Sequence, residues 1–212
     1  AKPFDAKTLV ARVNEQLKAA YIASQPDQIT GLSSAKMLKA VIQRNITQKI
    51  PFATAYVELD NIAEFGKFAG DAPRDKALRH ISRILDRYGK ALESPIFHAA
   101  HMGLGHFVCV MQPEYVVPYC ERISQSWESH LPEFYDSVGF KMPKASAAEM
   151  KNARTVPLLG LIMCITDSEL SGADSVKDYF DVLAQLRKKA VSEGGTGLHI
   201  DHRKVKRKKT SS

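Results

Sequence analysis

Apolar positions recur at helical spacing between residues 5 and 23, where Leu9, Val10, Val13, Leu17, Ala20 and Tyr21 alternate with Lys7, Arg12, Glu15 and Lys18. The pattern predicts an amphipathic helix with Asp5 as its N-cap. Pro26 and Gly31 interrupt it in SQPDQITGLSS. A second helix is expected from about Ser34 to Lys49, with Met37, Leu38, Val41, Ile42 and Ile46 on its apolar face and Pro51 beyond its end. FATAYVELD, residues 52 to 60, has the β-branched and aromatic content of a buried strand, and KALRHISRILDRYGKAL, 76 to 92, returns to helical periodicity. SPIFHAAHMGLGHFVCVMQ, 94 to 112, reads as two strands joined at Gly103 to Gly105, where glycine admits the positive φ of a tight turn. VVPYCERISQSWESHLPEFYD is helical in its middle, TVPLLGLIMCITD at 155 to 167 is a further buried strand, and SVKDYFDVLAQLRKKAVSE at 175 to 193 a last helix before the short strand GLHID. Strands interleaved with helices in this order imply an α/β fold with a mixed central sheet covered by helices.

Composition adds little to that picture except where it removes function classes. With 212 residues, 44% hydrophobic and 25% charged, the chain suits one main globular domain. No run approaches the roughly 18 apolar residues of a membrane span, and AKPFDAKTLV lacks the apolar centre of a secretory signal, so a cytoplasmic protein is expected. Cys109, Cys120 and Cys164 are far apart and set among apolar neighbours, which suits buried free thiols better than a zinc or redox centre. The net charge of +7 would suggest nucleic acid, but six basic side chains fall in the last ten residues, RKVKRKKTSS, leaving the body at +1. Residues 202–212 are therefore read as a basic, disordered tail, and nucleic acid is not expected as a partner. Tyr115, Tyr119, Trp127, Phe134 and Tyr135 lie in or beside one helix with few basic neighbours, which favours core packing over base stacking.

DQITGL at 27 to 32, the strand ending VELD at 57 to 60, and a glycine hairpin some forty residues later together resemble the diguanylate cyclase, or GGDEF, domain. The resemblance spans residues 27–201. Its most specific part is the opening, where Asp27, Ile29, Thr30, Gly31 and Leu32 follow the family's Asp-x-Leu-Thr-Gly-Leu. It implies the palm-like fold of nucleotide cyclases, acting as a dimer in which each subunit brings one GTP.

Catalysis in such a palm needs carboxylates that hold two metal ions against the triphosphate. By the resemblance, the first metal-binding Asp falls on Glu58, Asp60 matches the next carboxylate of that strand, and the signature Gly-Gly-Asp-Glu-Phe falls on Gly103, Leu104, Gly105, His106 and Phe107. Both hairpin acids are replaced, and Leu104 puts a side chain where the backbone should pass close to phosphate. The guanine-reading Asn falls on Gly66, while Asp75 persists at the second base-reading position. The phosphate-holding Lys and Arg fall near Val191 and Gly195, with Arg187, Lys188 and Lys189 close by but not assignable. The inhibitory Arg-x-x-Asp becomes Ser94 and Phe97. A degenerate domain with no catalytic residues and no cofactor is expected, magnesium entering only together with a nucleotide.

KPFDAKTLVARVNEQL resembles the end of a phosphorylation receiver, in which a Lys-Pro pair precedes the last helix and the lysine senses the phosphoryl group. That role would fall on Lys2. Residues 1–26 would then be the last receiver helix and a linker, the rest of the receiver and its phosphorylated Asp preceding Ala1. The helix face could pair with a second copy or pack on the receiver.

His98, His101 and His106 cluster on the hairpin. Strand alternation sends His98 and His101 to opposite faces, leaving His101, His106 and Glu58 as a weak metal set beside the alternative of solvated histidines. The expected function is a non-catalytic output domain of a response regulator. It would relay phosphorylation set by a sensor histidine kinase to a protein partner or its own dimer. The second reading is an effector that holds a guanine nucleotide or cyclic di-GMP through Glu58, Asp60 and Asp75; an active cyclase is the third.

Overall fold

The computed structural model describes residues 25–143, 155–169, 171 and 173–201. The helix read at 5–23, Lys2 and the basic tail lie outside these. Eleven elements follow in chain order: β1 Ser33–Ser34, α1 Ala35–Thr47, β2 Ala53–Asp60, α2 Ile62–Ala69, α3 Asp71–Lys90, β3 His98–Gly103, β4 His106–Met111, α4 Pro113–Ser137, β5 Gly160–Asp167, α5 Val176–Ser192 and β6 Gly197–Ile200. The strands form one mixed sheet in the order β1-β3-β4-β2-β5-β6. The three inner pairings are antiparallel and the two outer ones, β1 with β3 and β5 with β6, are parallel.

Period-two alternation in β2 sorts the two faces. Ala53, Ala55, Val57 and Leu59 join Phe107, Cys109, Met111, Leu161 and Met163 in the larger core, covered by Leu78, Ile81 and Leu85 of α3 and by Tyr119, Ile123 and Trp127 of α4. On the other face Ala100, Val108 and Val110 pack against Leu38 and Ile42 of α1 and Tyr179 and Leu183 of α5. Two helical layers thus sandwich the sheet, the architecture expected from the element order. Ser34 and Ser175 cap α1 and α5, accepting from Met37 N at 3.4 Å and Asp178 N at 3.2 Å.

Departures from the expected elements have identifiable causes. Helix α2 was not legible because it is 8 residues long and contains Gly66. It persists because Phe65 inserts among Phe134, Tyr135 and Phe140, with ring centroids 6.0, 6.0 and 6.4 Å away. Helix α3 begins at Asp71, ahead of the expected start, since Pro73 in its first turn has no intrahelical donor to lose. Helix α4 runs through Pro118 and Pro132, each of which removes one backbone bond. Burial of Tyr119, Cys120, Ile123, Trp127, Leu131, Phe134 and Tyr135 on one stripe outweighs those losses. The strand read over 155–167 pairs only from Gly160. All three cysteines are buried and free, and burial raises the thiols, Cys109 to about 12 and Cys164 to about 11.

Candidate functional site

The loop Asp27–Leu32 closes on itself. Asp27 Oδ1 accepts from Ile29 N at 3.1 Å, Thr30 N at 2.8 Å and Thr30 Oγ1 at 2.9 Å, while Asp27 N donates to Leu32 O and Gly31 N to Asp27 O, both at 2.8 Å. Burial would raise the Asp27 carboxyl, but the Thr30 bonds and nearby His101 prevail and hold it below its ordinary value. Gly31 takes φ +71, which explains the glycine at that place.

The hairpin turns at Leu104 and Gly105. Leu104 adopts φ +49 and is 72% exposed, so the side chain projects into solvent from a left-handed backbone. A bulge between His101 and Gly103 shifts the register: His101 pairs with Phe107, whereas Gly103 pairs with His106. One extra residue on β3 turns His101 to the opposite face from His106. Its ring stacks on Phe107 at 4.9 Å, Nε2 donates to Leu104 O at 2.8 Å, and Nδ1 lies 3.2 Å from Asp27 Oδ2 without hydrogen-bond alignment. The convergence of Glu58, His101 and His106 read from simple alternation is therefore corrected. Among the described residues no group of three His, Cys, Asp or Glu side chains is placed to hold a metal ion.

Glu58 pairs across the sheet with His106, but its main partner comes from α5. Arg187 grips it with two bonds, Nε to Oε2 at 2.6 Å and Nη2 to Oε1 at 2.7 Å, and the Tyr56 hydroxyl donates to Oε2 at 3.0 Å. Tyr56 Oη lies 2.7 Å from His106 Nδ1. Burial alone would lift the Glu58 carboxyl; the Arg187 and Tyr56 bonds outweigh it and keep the group ionised below its usual range. Burial also lowers the His106 pKa, so that ring is neutral at physiological pH. Neither Tyr56 nor the role of Arg187 was read from the sequence. Tyr56 could have been found as the residue two before Glu58 on the same strand face. Arg187 stands four before Val191, one helical turn back on the same face of α5.

Gly105, where the resemblance expects a metal-binding acid, is buried and has no space for a side chain. A Cβ there would lie 2.9 Å from Leu59 O and 2.8 Å from Ile62 Cγ2, and Gly105 O accepts from Leu59 N at 2.8 Å. Asp60 is half-buried, accepts from Asn61 Nδ2 at 3.2 Å, and has its carboxyl raised, first by burial and then by the charges of Glu58 and Glu64. With Glu58 neutralised by arginine and Gly105 closed, these residues do not fit a pair of divalent cations.

The remaining positions follow suit. Arg74 bonds Asp75 Oδ1 through Nε at 3.1 Å and Nη2 at 2.9 Å, and its stem lies so near Gly66 that an added Cβ would meet Arg74 Cδ at 3.0 Å. One oxygen of Asp75, Oδ1, is thus engaged by arginine, and it is the arginine stem that lies against Gly66. The Phe97 ring packs so closely on Gly89 that a Cβ there would overlap it; by the resemblance, Phe97 stands at the position of the inhibitory carboxylate. Val191 is exposed and Gly195 takes φ +81 near the chain's turn into β6.

Compared with known proteins, the chain matches no family model, and no curated protein matches it. Solved structures share its fold. The coiled coil and GGDEF domain of DgcB from Caulobacter crescentus, in complex with c-di-GMP, superposes with a TM-score of 0.62 at 15% identity, covering 92% of this chain and 95% of that one. The GGDEF domain of FimX from Pseudomonas aeruginosa gives 0.60 at 18% identity over 83% and 98%. The diguanylate cyclase SiaD from the same organism, in complex with its activator SiaC, gives 0.62 at 12% identity over 92% and 68%. The architecture is that of the GGDEF domain, a palm-like mixed sheet between helical layers.

Proposed function

We propose that residues 27–201 are a non-catalytic signalling output domain of a two-component response regulator. On this reading residues 1–26 carry the last receiver helix and a linker, Lys2 senses the phosphoryl group placed by a sensor histidine kinase, and residues 202–212 are an appended basic tail. The output passes to a protein partner or to a second copy of the chain. The observation that supports this best is Gly105, a position with no room for the acid that metal-assisted GTP condensation requires. The arginine clamp on Glu58 supports it independently, since a carboxylate with both oxygens committed to a guanidinium is a poor ligand for magnesium. That SiaD is found with an activator protein makes protein contact a reasonable use of this fold.

The competing reading, a guanine nucleotide or cyclic di-GMP effector built on Glu58, Asp60 and Asp75, draws less support. Two of those carboxylates are already paired with arginine, and by the resemblance a phenylalanine, Phe97, stands where the inhibitory acid would be. Incubation with GTP and magnesium or manganese is expected to give no cyclic dinucleotide by chromatography and mass spectrometry. Product that grows in proportion to protein concentration would overturn the proposal.

A further inference from the structure

Helix α3 carries Lys76, Arg79, Arg83 and Arg87, whose spacings of three, four and four residues set them on one helix face within an arc of about 80° and along a rise of roughly 16 Å. None of these four side chains forms an ion pair among the described residues, whereas Arg74 and Arg187 are each held by an acid. The body of the chain is nearly neutral, so this row of unpaired cations is a local feature and not a sample of the whole surface.

The row borders a groove of about 430 Å³ between α3 and α4. Lys76, Arg79 and Arg83 line it from α3, His130 and Glu133 from α4, and Lys76 Nζ donates to Ser137 O at 2.8 Å where α4 ends. Three permanent cations against one acid leave the groove positive. The His80 imidazole, stacked on Phe134 at 6.0 Å, responds to that: burial, and after it the charges of His130 and Arg83, hold it below its ordinary value against the pull of Glu133. Gly66, Asp75, Ser94 and Phe97, the base-reading and inhibitory positions of the resemblance, do not line this groove.

The spacing selects the occupant. Cations spread along roughly 16 Å of helix do not converge on one phosphate group. Phe134 and Trp127 are buried, so no aromatic surface is offered to stacking bases. A second helix laid along the groove repeats at the same pitch, and carboxylates one turn apart on it would meet the cations in register. We propose that the α3 row and the groove beside it dock an acidic helix of a protein partner, its carboxylates paired with Lys76, Arg79, Arg83 and Arg87. This rests on the reading of the domain as an output module that acts by protein contact, and it gives that output a surface.

The backbone amide resonances of the full chain, titrated with a short alanine-rich helical peptide whose four glutamates repeat the three-four-four spacing, test this. Saturable shifts are expected in α3 and the last turns of α4, with a dissociation constant on the order of 10–100 μM that rises several-fold between about 50 and 300 mM salt. The same peptide with glutamine for glutamate should give none. Arg79→Glu combined with Arg83→Glu should weaken binding about tenfold or more, and Arg83→Glu alone, at an exposed position, about threefold. Lys188→Glu combined with Lys189→Glu makes the same charge change on α5 as the α3 double variant and should leave affinity within about twofold. Absence of saturable shifts in α3, shifts confined to the basic run 203–209, or equal weakening by the two double variants would overturn the proposal. So would an oligothymidylate of equal charge that binds the α3 amides as tightly as the acidic peptide, because the row would then be a nucleic-acid contact. Failure of the docking row leaves the non-catalytic reading standing, since that is tested separately by product formation from GTP.

Discussion

Gly105→Asp should destabilise the domain by about 3–5 kcal/mol, a loss of roughly 10 °C in Tm for a chain of this size. Two costs add. The new Cβ would press on the Leu59 carbonyl, which belongs to a central strand and cannot rotate aside, and on Ile62 at the start of α2. The carboxylate beyond it would enter a buried position. Gly105→Ala isolates the steric part and should cost about 1–3 kcal/mol. Leu104→Gly should act in the opposite direction by about 1 kcal/mol, because Leu104 sits at φ +49. Rebuilding the hairpin as Leu104→Gly, Gly105→Asp, His106→Glu therefore yields a less stable protein. It should also remain inactive, since Arg187 still holds Glu58. Thermal unfolding of the four variants checks the order; a Gly105→Asp protein as stable as wild type would show that Leu59 and Ile62 yield easily.

Arg187→Ala leaves Glu58, whose side chain is 11% exposed, without its bidentate partner. Loss of one member of a fully buried pair costs about 3–5 kcal/mol; the Arg187 side chain is 43% exposed, so water can reach the pair and about 1–3 kcal/mol is expected. The effect should depend on pH. The folded-state pKa of Glu58 lies below its ordinary 4.5, so the stabilisation it contributes is complete above about that pH and is lost as pH falls through the lower folded value. The difference between wild type and Arg187→Ala should therefore be constant from pH 6 to 8 and shrink below about pH 4.5. Denaturant titrations at pH 7 and pH 3.5 measure it, and an equal difference at both would show that packing of the arginine stem, and not the ion pair, is what was removed.

The sheet and its two helical layers were legible in the sequence because their signals are local. Strand β2 has β-branched and aromatic residues, the hairpin has glycines where φ must turn positive, and α1 and α5 have apolar stripes at helical spacing with serine caps. Helix α2 was not, because its stability comes from Phe65 meeting three aromatic rings that arrive from residues 134 to 140. The facing of His101 was misread for a similar reason: a bulge adds one residue to β3, and nothing in HAAHMG announces it. Arg187 sits in a run of three basic residues, RKK, and only the docking of α5 on the sheet decides which of them turns inward to Glu58. At Glu58, a position the resemblance singles out, the partner of the side chain is set by a contact more than a hundred residues away in sequence, with Arg187.

Among possible measurements, a calorimetric and thermal-shift titration of the full chain with GTP, GMP and cyclic di-GMP, each with and without magnesium, bears most directly on the claim that the cyclase site is closed. No heat of binding and no change in Tm are expected for any of the three at concentrations up to the millimolar range, because a ligand that bound the folded state at 100 times its Kd would stabilise it by about 2.7 kcal/mol. A saturable, magnesium-dependent rise in Tm with GTP would contradict the account, and would mean that Arg187 releases Glu58 when a nucleotide and its metal arrive.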